Sequence, residues 1–233
     1  MKADLHVHTN YSYDSISSPE AIVKAALKRG LDCIAICDHG EINGAIEAIK
    51  AAFNKPILVI PGIEIKSQEG DILGLNVKEI IPNGLSAQET ILEIKKAGGW
   101  VIIPHPFGFS CSFKNNLEDI IESIDAVEVL NANIFKNNNQ KALSWAQKHN
   151  LAISAGSDAH SSMFVGRSFL EIPGEKLSIG QIFEQIKNKR VKPMGKETNV
   201  FFKGIAFLQR SWAKTKYYIK NLCCLKKEHN LNG

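Results

Sequence analysis

The sequence predicts a single α/β domain in which a sheet of parallel strands closes, or nearly closes, into a barrel. Three observations favour this fold class. Short apolar runs typical of buried strands alternate about seven times with amphipathic helical patterns. With 233 residues, the chain is long enough for one substantial core and rather short for two. Several apolar runs end in histidine or acidic residues, which is typical of the carboxyl ends of barrel strands.

The predicted elements rest on apolar runs for strands and on capping residues and periodicity for helices. Ser18, Pro19 and Glu20 are a cap, a first-turn proline and a first-turn acid. Ser86 and Glu89 form a capping box. The predicted strands cover residues 4–9, 33–37, 57–60, 71–77, 100–103, 126–130 and 151–155, and the predicted helices cover 18–29, 43–53, 86–97, 117–122 and 138–148.

Composition and targeting signals predict a cytoplasmic protein. No apolar run approaches the roughly 18 residues of a membrane-spanning helix, and no signal-peptide core precedes the first strand. The five cysteines form no CxxC pair. We therefore expect free thiols in a reducing compartment, with Cys33 and Cys37 acting as small core residues.

The positive charge is concentrated at the end of the chain, which we divide into a barrel domain, residues 1–198, and a basic amphipathic tail, residues 199–233. The tail holds seven basic residues and one acid, whereas the rest holds 21 basic and 23 acidic residues. We expect a closing helix whose apolar face lies on the barrel; contact with nucleic acid or a membrane is the alternative. That face consists of Phe201, Ile205, Leu208, Trp212, Ile219 and Leu222.

The opening strand places two imidazoles on one face, because Asp4, His6 and His8 alternate with apolar residues. An isolated pair of this kind is as consistent with packing as with metal binding. Other apolar strands also end in ligand-forming residues, and in a parallel barrel such ends meet at one mouth. The candidate metal ligands are His6, His8, Asp14, His39, Glu64, Asp71, His105, Asp158 and His160.

The chemistry of this set predicts divalent metal ions. Imidazole and carboxylate without thiolate suit Zn²⁺, Mn²⁺ or Fe²⁺. Nine candidates exceed the three or four ligands that one ion uses, so we expect two or three ions.

The motifs that carry these ligands resemble a known family. The strings DLHVHTNYSYD, CDHG, PGIE, IPHPFG and GSDAH resemble, in order and spacing, those of the PHP (polymerase and histidinol phosphatase) superfamily of metal-dependent phosphoesterases. The resemblance covers about residues 3–170. It implies a distorted TIM-like (β/α)7 barrel, up to three metal ions and hydrolysis of phosphate ester bonds.

The resemblance also implies how the ligands divide among ions. Glu64 would bridge two ions, the second of which is also held by His105. Many relatives have histidine where this chain has Asp71, which we expect to replace it as a ligand. The first ion would be held by His6, His8, Glu64 and Asp158, and the third by Asp14, His39 and His160.

The expected mechanism uses a metal-activated hydroxide that attacks a metal-bound phosphate. We assign catalytic roles to Asp38, His39 and Arg167. Asp38, like Asp4, is a candidate for orienting an imidazole, or equally a structural acceptor. Arg167 is a candidate phosphate clamp, or equally an ordinary surface arginine. Asn131 follows the sixth strand, and we expect it to contact substrate.

Four functions compete on the sequence alone. The leading hypothesis is hydrolysis of a phosphomonoester or small nucleotide phosphate. A nuclease that trims DNA or RNA ends is the alternative, which the basic tail would support. A barrel with vestigial metals that serves as a binding subunit is disfavoured by the nearly complete ligand set. An amidohydrolase or TatD-like DNase also opens with HxH, but Glu64 after Pro61-Gly62 fits the PHP pattern better. Substrate identity and oligomeric state are left open.

Overall fold

The computed structural model describes residues 1–108, 113 and 117–231, with side chains described as far as residue 219. These residues form nine strands, six α-helices and a 3₁₀ helix at Leu117–Ser123. The strands are β1 (Lys2–Val7), β2 (Cys33–His39), β3 (Leu58–Lys66), β4 (Asp71–Leu75), β5 (Trp100–Ile103), β6 (Ala126–Asn131), β7 (Ile153–Gly156), β8 (Ser168–Glu171) and β9 (Lys192–Gly195). The helices are α1 (Pro19–Lys28), α2 (Asn43–Ala52), α3 (Ala87–Lys96), α4 (Lys136–Lys148), α5 (Ile179–Lys187) and α6 (Val200–Leu231).

The described strands form one sheet that curls into a nearly closed barrel, which confirms the predicted fold class. Its strand order is β7-β6-β5-β4-β3-β2-β1-β8-β9. The start of β1 pairs with β8, whereas the end of β1 pairs with the segment after β7 through a parallel bridge between Val7 and Ala159. The His6 carbonyl also accepts a hydrogen bond from the Asp158 amide at 2.7 Å. The two histidines of β1 therefore stand beside the motif that follows β7.

The sheet differs from the predicted all-parallel barrel at β4. This strand runs antiparallel to both β3 and β5, and it forms a hairpin with β3 in which Lys66 pairs with Asp71. Asp71 therefore stands at the amino end of its strand. Because the strand is reversed, that end lies at the same mouth as the carboxyl ends of the parallel strands. Asp71 lines the same cavity as the other candidate ligands, although the predicted direction of its strand was wrong.

Three elements after β7 were not predicted: β8, α5 and β9. The two strands have four residues each, and β9 contains Pro193 and Gly195, so neither carries a clear alternating pattern. Helix α5 closes the amino end of the barrel: its Phe183 stacks on Trp100, the first residue of β5, with ring centroids 4.3 Å apart. The opposite, carboxyl end is the mouth.

The core has two faces, as alternation along β2 shows. Ile34 and Ile36 belong to a buried cluster with residues of the surrounding helices, whereas Cys33, Ala35 and Cys37 belong to a second cluster that includes residues of α5. Both cysteines are buried and unbridged, as predicted. Cys111 lies outside the described residues.

The predicted helix boundaries agree with the structure to within about two residues, because the capping signals are local. Ser18 accepts a hydrogen bond from the Ala21 amide, and Ser86 and Glu89 form the expected capping box. The predicted helix at 117–122 is the 3₁₀ helix.

Helix α6 crosses the mouth of the barrel, but not with the predicted face. Four of the residues expected to lie on the barrel are exposed: Phe201 by 72%, Leu208 by 68%, Trp212 by 59% and Ile219 by 56%. Ile205 alone of that face is partly buried among the described side chains, and Leu222 lies beyond them. The inward face instead carries the residues Phe202, Ala206, Arg210, Ala213 and Lys214.

Across the described residues, none of the helices combines the length and the apolar character that crossing a membrane requires.

Candidate metal centre

Four ligand atoms meet at the barrel mouth. The Nε2 atoms of His6 and His8 are 3.1 Å apart. Glu64 Oε2 lies 3.4 Å and 3.3 Å from these two atoms, and Asp158 Oδ1 lies 3.8 Å and 3.4 Å from them. Four tetrahedral ligands at about 2.1 Å from an ion are roughly 3.4 Å from one another. The two imidazoles therefore stand at metal-ligand spacing from each other and from both carboxylates.

Glu64 connects this group to two further imidazoles. Its Oε1 lies 3.3 Å from His105 Nε2, and its Oε2 lies 3.2 Å from His39 Nδ1. A carboxylate whose two oxygens face different imidazoles is suited to bridging two ions. The geometry is compatible with the bridging role expected of Glu64.

A third group is formed by Asp14, His39 and His160. Asp14 Oδ1 lies 3.5 Å from His39 Nε2 and 3.3 Å from His160 Nε2. These three atoms are buried and have no hydrogen-bond partner within the described part of the chain. Buried polar atoms are normally paired. The three converging atoms therefore fit a cation as their common partner.

The electrostatics of the centre favour cation binding. Burial and the neighbouring His160 lower the pKa of His8 to about 3, so this imidazole is neutral. Although burial raises them, the pKa values of Glu64 and Asp158 are held well below their ordinary range by adjacent histidines. Burial lowers the pKa of His6, but three nearby carboxylates outweigh it and raise that pKa well above its ordinary value. A metal ion would have to displace the proton on His6.

Glu128 orients His6, and the sequence reasoning missed it. Its Oε1 lies 3.2 Å from His6 Nδ1, while its Oε2 accepts hydrogen bonds from the His105 amide at 2.9 Å and from Asn131 Nδ2 at 2.8 Å. A carboxylate behind a ligating histidine fixes the ring and raises its basicity. The signal was a glutamate inside an apolar strand, where burial requires a partner.

Comparison with known proteins assigns the chain to a family. The family model described as the PHP domain matches residues 4–191. The chain belongs to the PHP domain family. This match begins just before the two histidines of β1 and ends before α6.

Relatives of this PHP protein are found among both sequences and structures. An uncharacterised protein of Methanocaldococcus jannaschii is 42% identical over 143 residues, which cover 57% of this chain and 82% of the relative. A 5'-3' exoribonuclease of Haemophilus influenzae is 40% identical over 85 residues, which cover 35% of this chain and 31% of the relative. A Bacteroides vulgatus structure of a two-domain protein containing a predicted PHP-like metal-dependent phosphoesterase is similar with a TM-score of 0.74 at 21% identity, over 90% of this chain and 69% of that one. This last likeness is one of fold.

Two candidate ligands of this PHP domain have unusual backbone conformations. His105 and Asp158 have φ values of 30° and 51°, which non-glycine residues rarely adopt. Such conformations persist where surrounding contacts hold them, and they are concentrated at functional sites. Gly156 allows a close approach nearby, since a Cβ atom there would lie 2.4 Å from His6 Cβ.

Asp38 reaches the centre through Ser12. Its carboxylate accepts hydrogen bonds from the Thr9 amide at 2.6 Å and from the Ser12 hydroxyl at 2.8 Å, and Ser12 Oγ lies 3.2 Å from His8 Nδ1. Burial raises the pKa of Asp38 to about 6, against the lowering effect of these bonds. This placement is compatible with an indirect role in orienting His8.

Asp4 orders the backbone before a ligand. It accepts hydrogen bonds from the Ser157 amide at 2.8 Å, from the Ser157 hydroxyl at 2.5 Å and from the Gly166 amide at 2.7 Å. Ser157 immediately precedes Asp158. Asp4 therefore positions the loop after β7 that carries the candidate ligand Asp158.

The remaining predicted site residues have different surroundings. Asp71 lines the same cavity as the ligands, but it belongs to none of the close groups of ligand atoms found among the described residues. Asn131 is buried and lies 3.4 Å from Asp158 Oδ2, so it supports the centre from behind. Arg167 packs over two aromatic rings: its Cζ atom lies 5.4 Å from the ring centroid of Phe164 and 4.7 Å from that of Phe202. That placement does not support a phosphate clamp.

Arg210 lies in the cavity, although the sequence shows it only as one of the seven basic residues of the tail. The cavity has a volume of about 300 Å³, and its walls include His39, Asp158, His160 and Arg210. The arginine comes from α6, beyond the matched PHP residues. No sequence motif marks it, since only the packing of α6 brings it to the mouth.

Proposed function

We propose that the chain is a metal-dependent phosphoesterase that hydrolyses a phosphomonoester or a small nucleotide phosphate. The observation that carries this proposal is that the Nε2 atoms of His6 and His8 lie 3.1 Å from each other and 3.3–3.8 Å from a carboxylate oxygen of Glu64 and of Asp158. Of these four side chains, Glu64 and Asp158 line a cavity of about 300 Å³, which suits a small ligand.

The residues fit two or three divalent ions of zinc, manganese or iron. When bound, such ions supply a nucleophile at neutral pH and neutralise charge on the phosphoryl oxygens. The side chains keep the ligands in place: Glu128 orients His6, and Ser12 connects Asp38 to His8. His39 stands at the mouth, where it is 20% exposed and is the ligand best placed to meet substrate.

A purely structural or binding role is a weaker proposal. Such a role would not need the nearly complete set of buried histidines and carboxylates, nor the unusual backbone at His105 and Asp158. Burying unpaired charge is costly, so a ligand set kept without metals would be expected to decay towards apolar residues.

A nuclease acting on DNA or RNA ends is the second candidate. The similarity to an exoribonuclease favours it, and so does the basic character of residues 199–233. However, α6 crosses the mouth, and Arg210 forms part of the cavity wall. This arrangement favours a small phosphate ester over a polymer.

The test is metal reconstitution followed by a substrate panel. Metal-free protein would be loaded with Zn²⁺, Mn²⁺ or Fe²⁺, its metal content measured by elemental analysis, and its activity measured on phosphomonoesters, nucleotides and 5'-labelled oligonucleotides. We expect hydrolysis of monoesters that disappears on chelation and returns with metal. Turnover of oligonucleotides alone would favour the nuclease, and no turnover in any loaded form would contradict both.

The salt dependence of oligonucleotide cleavage distinguishes the two enzymes further. Removal of residues 199–233 is unsuited to this purpose, because it also removes Arg210 from the cavity. Lys216→Ala is the better variant, since Lys216 lies on the exposed part of α6 beside the Trp212 ring. If the tail binds a polymer, this variant should cleave oligonucleotides less efficiently and with a weaker salt dependence, whereas monoester hydrolysis should not change.

A further inference from the structure

Helix α6 places the positively charged side chain of Arg210 in the cavity. The walls of this cavity also include candidate metal ligands of the PHP domain. Arg210 Nη2 donates a hydrogen bond to Asp14 Oδ2 at 3.0 Å, and Lys214 Nζ lies 3.9 Å from the same oxygen. Asp14 is fully buried, whereas Arg210 is about one-third exposed on the cavity side. The contact joins residues 196 positions apart, so it depends on the docking of α6.

The two oxygens of Asp14 have separate partners. Oδ1 faces His39 and His160, the two other members of the third ligand group. Oδ2 faces Arg210. A cation bound through Oδ1 would therefore leave the arginine in place beside it, rather than compete with it for the same oxygen.

The guanidinium keeps donors available for a ligand. It carries five N–H groups in a planar fork, and within the described residues only one hydrogen bond from it, to Asp14, is formed. The fork matches two oxygens of a phosphate, and such charge-assisted pairs are strong and directional. A cation used only as an anchor for α6 would not need to line the cavity.

The charge and shape of the substrate phosphate decide what this fork can select. A phosphomonoester carries close to two negative charges at neutral pH and has three non-bridging oxygens. A phosphodiester carries one charge and has two such oxygens. When two are directed at metal ions, only the monoester has a third oxygen for another cation. Arg210 lines the same cavity as His39, Asp158 and His160, so its guanidinium stands beside a phosphate bound there.

We propose that Arg210 is a phosphate-binding residue that α6 adds to the metal site, and that it selects terminal phosphate groups over internal phosphodiesters. The part of this inference that concerns substrate selectivity rests on the proposed function, whereas the part that concerns phosphate binding does not. The selectivity of this protein would thus come from a helix outside the family match.

Binding of inorganic phosphate to metal-loaded protein tests the first half of the proposal. Isothermal titration would compare the original chain with Arg210→Ala, Arg210→Lys and the matched control Lys216→Ala. We expect Arg210→Ala to weaken phosphate binding by roughly 10- to 100-fold, Arg210→Lys to weaken it less, and Lys216→Ala to leave it unchanged. Metal content would be measured by elemental analysis in every sample.

Displacement of α6 is the structural effect that must be separated from this role. Lys203→Ala removes another contact of α6 with the mouth, the 2.8 Å hydrogen bond to the Asn133 carbonyl, while leaving Arg210 unchanged. If loosening α6 were enough, Lys203→Ala would weaken phosphate binding as much as Arg210→Ala. Equal losses in these two variants, or unchanged phosphate affinity in fully metal-loaded Arg210→Lys and Arg210→Ala, would overturn the proposal.

Hydrolysis tests the selectivity. With p-nitrophenyl phosphate and bis-p-nitrophenyl phosphate as substrates, we expect Arg210→Ala to lower kcat/KM for the monoester by on the order of 100-fold and for the diester by less than about 3-fold. Equal losses on the two substrates would contradict the selectivity. If the original chain hydrolysed neither ester, the proposed function would fail, while the phosphate titration would still decide whether Arg210 binds phosphate.

Discussion

The barrel mouth and helix α6 contribute to the same cavity, but they are held in place in different ways. Most candidate ligands of the mouth stand near the ends of strands, and His6 and Asp158 are tied directly by a backbone hydrogen bond. Helix α6 is held by a few side chains, among them Phe202, Lys203 and Arg210, and it exposes much of its apolar surface. Rigid strands suit the metal chemistry, whereas a peripheral helix can change selectivity without disturbing that chemistry.

The largest effect is expected from a ligand of the barrel mouth. Asp158→Asn removes the charge of a carboxylate that lies within 3.8 Å of two imidazoles. Because metal ions contribute several kcal/mol of charge stabilisation, kcat/KM should fall by on the order of 10³-fold or more. Circular dichroism should show that the fold is retained. The matched control is His149→Ala, an imidazole at the end of α4 outside the cavity, which should leave turnover unchanged.

A smaller effect is expected behind the ligands. Glu128→Gln removes the charge beside His6 Nδ1 and should weaken metal binding by roughly 10- to 100-fold, measured by competition with a chromogenic chelator. The raised pKa of His6 means that the metal-free protein holds a proton that the loaded protein must release. Metal affinity should therefore rise with pH until the pKa of His6 is passed, by about tenfold per unit.

The pH dependence of stability has the opposite sign in the metal-free protein. A raised histidine pKa stabilises the folded state below the unfolded value, and this stabilisation is lost as pH rises through the folded pKa. Glu128→Gln should reduce both effects, because Glu128 is the largest favourable contribution to that shift. Metal affinity independent of pH from about pH 6 to about pH 8 would contradict this account.

A substitution at the backbone contact between β7 and β1 should change the free energy of unfolding by an intermediate amount. Gly156→Ala would place a Cβ atom 2.4 Å from His6 Cβ and 2.7 Å from His6 N, so a strand must move. We expect the free energy of unfolding in urea to fall by about 1–3 kcal/mol. Gly180→Ala is the matched control: a Cβ atom in α5 meets no atom within 4 Å, and stability should rise by roughly 0.5 kcal/mol. Equal effects in the two variants would show that the contact with His6 is unimportant.

The smallest effects distinguish the two faces of α6. Phe202 packs against Phe164 and lies under Arg167, so Phe202→Ala should lower the free energy of unfolding by about 1–2 kcal/mol. Leu208 is 68% exposed, so Leu208→Ala should change it by less than about 0.5 kcal/mol. A larger loss for Leu208→Ala would restore the packing face predicted from the sequence.

Much of the fold was accessible from the sequence because its signals are local. Caps such as Ser18 and Ser86 fix helix starts through hydrogen bonds to residues three positions away. Buried strands are apolar on both faces and are easily recognised. The reversed direction of β4 could not be predicted from the sequence, because similar apolar runs can be joined either by a hairpin, which makes the strands antiparallel, or by a crossover, which makes them parallel. The four-residue strands β8 and β9 were missed because so few residues establish no period.

The candidate metal centre likewise has one part that local sequence signals predict and another that depends on long-range contacts. The types of candidate ligand and their position near strand ends can be predicted from the sequence, because packing alone seldom places imidazoles and carboxylates after one apolar run after another. The support of His6 by Glu128, the packing of Arg167 on aromatic rings and the entry of Arg210 into the cavity become visible in the folded chain alone. Each of these depends on contacts between residues distant in sequence, and the choice of helix face depends on shape as well as hydrophobicity. Small residues such as Ala206 and Ala213 allow α6 to approach the barrel closely, which places the larger apolar side chains on the opposite face.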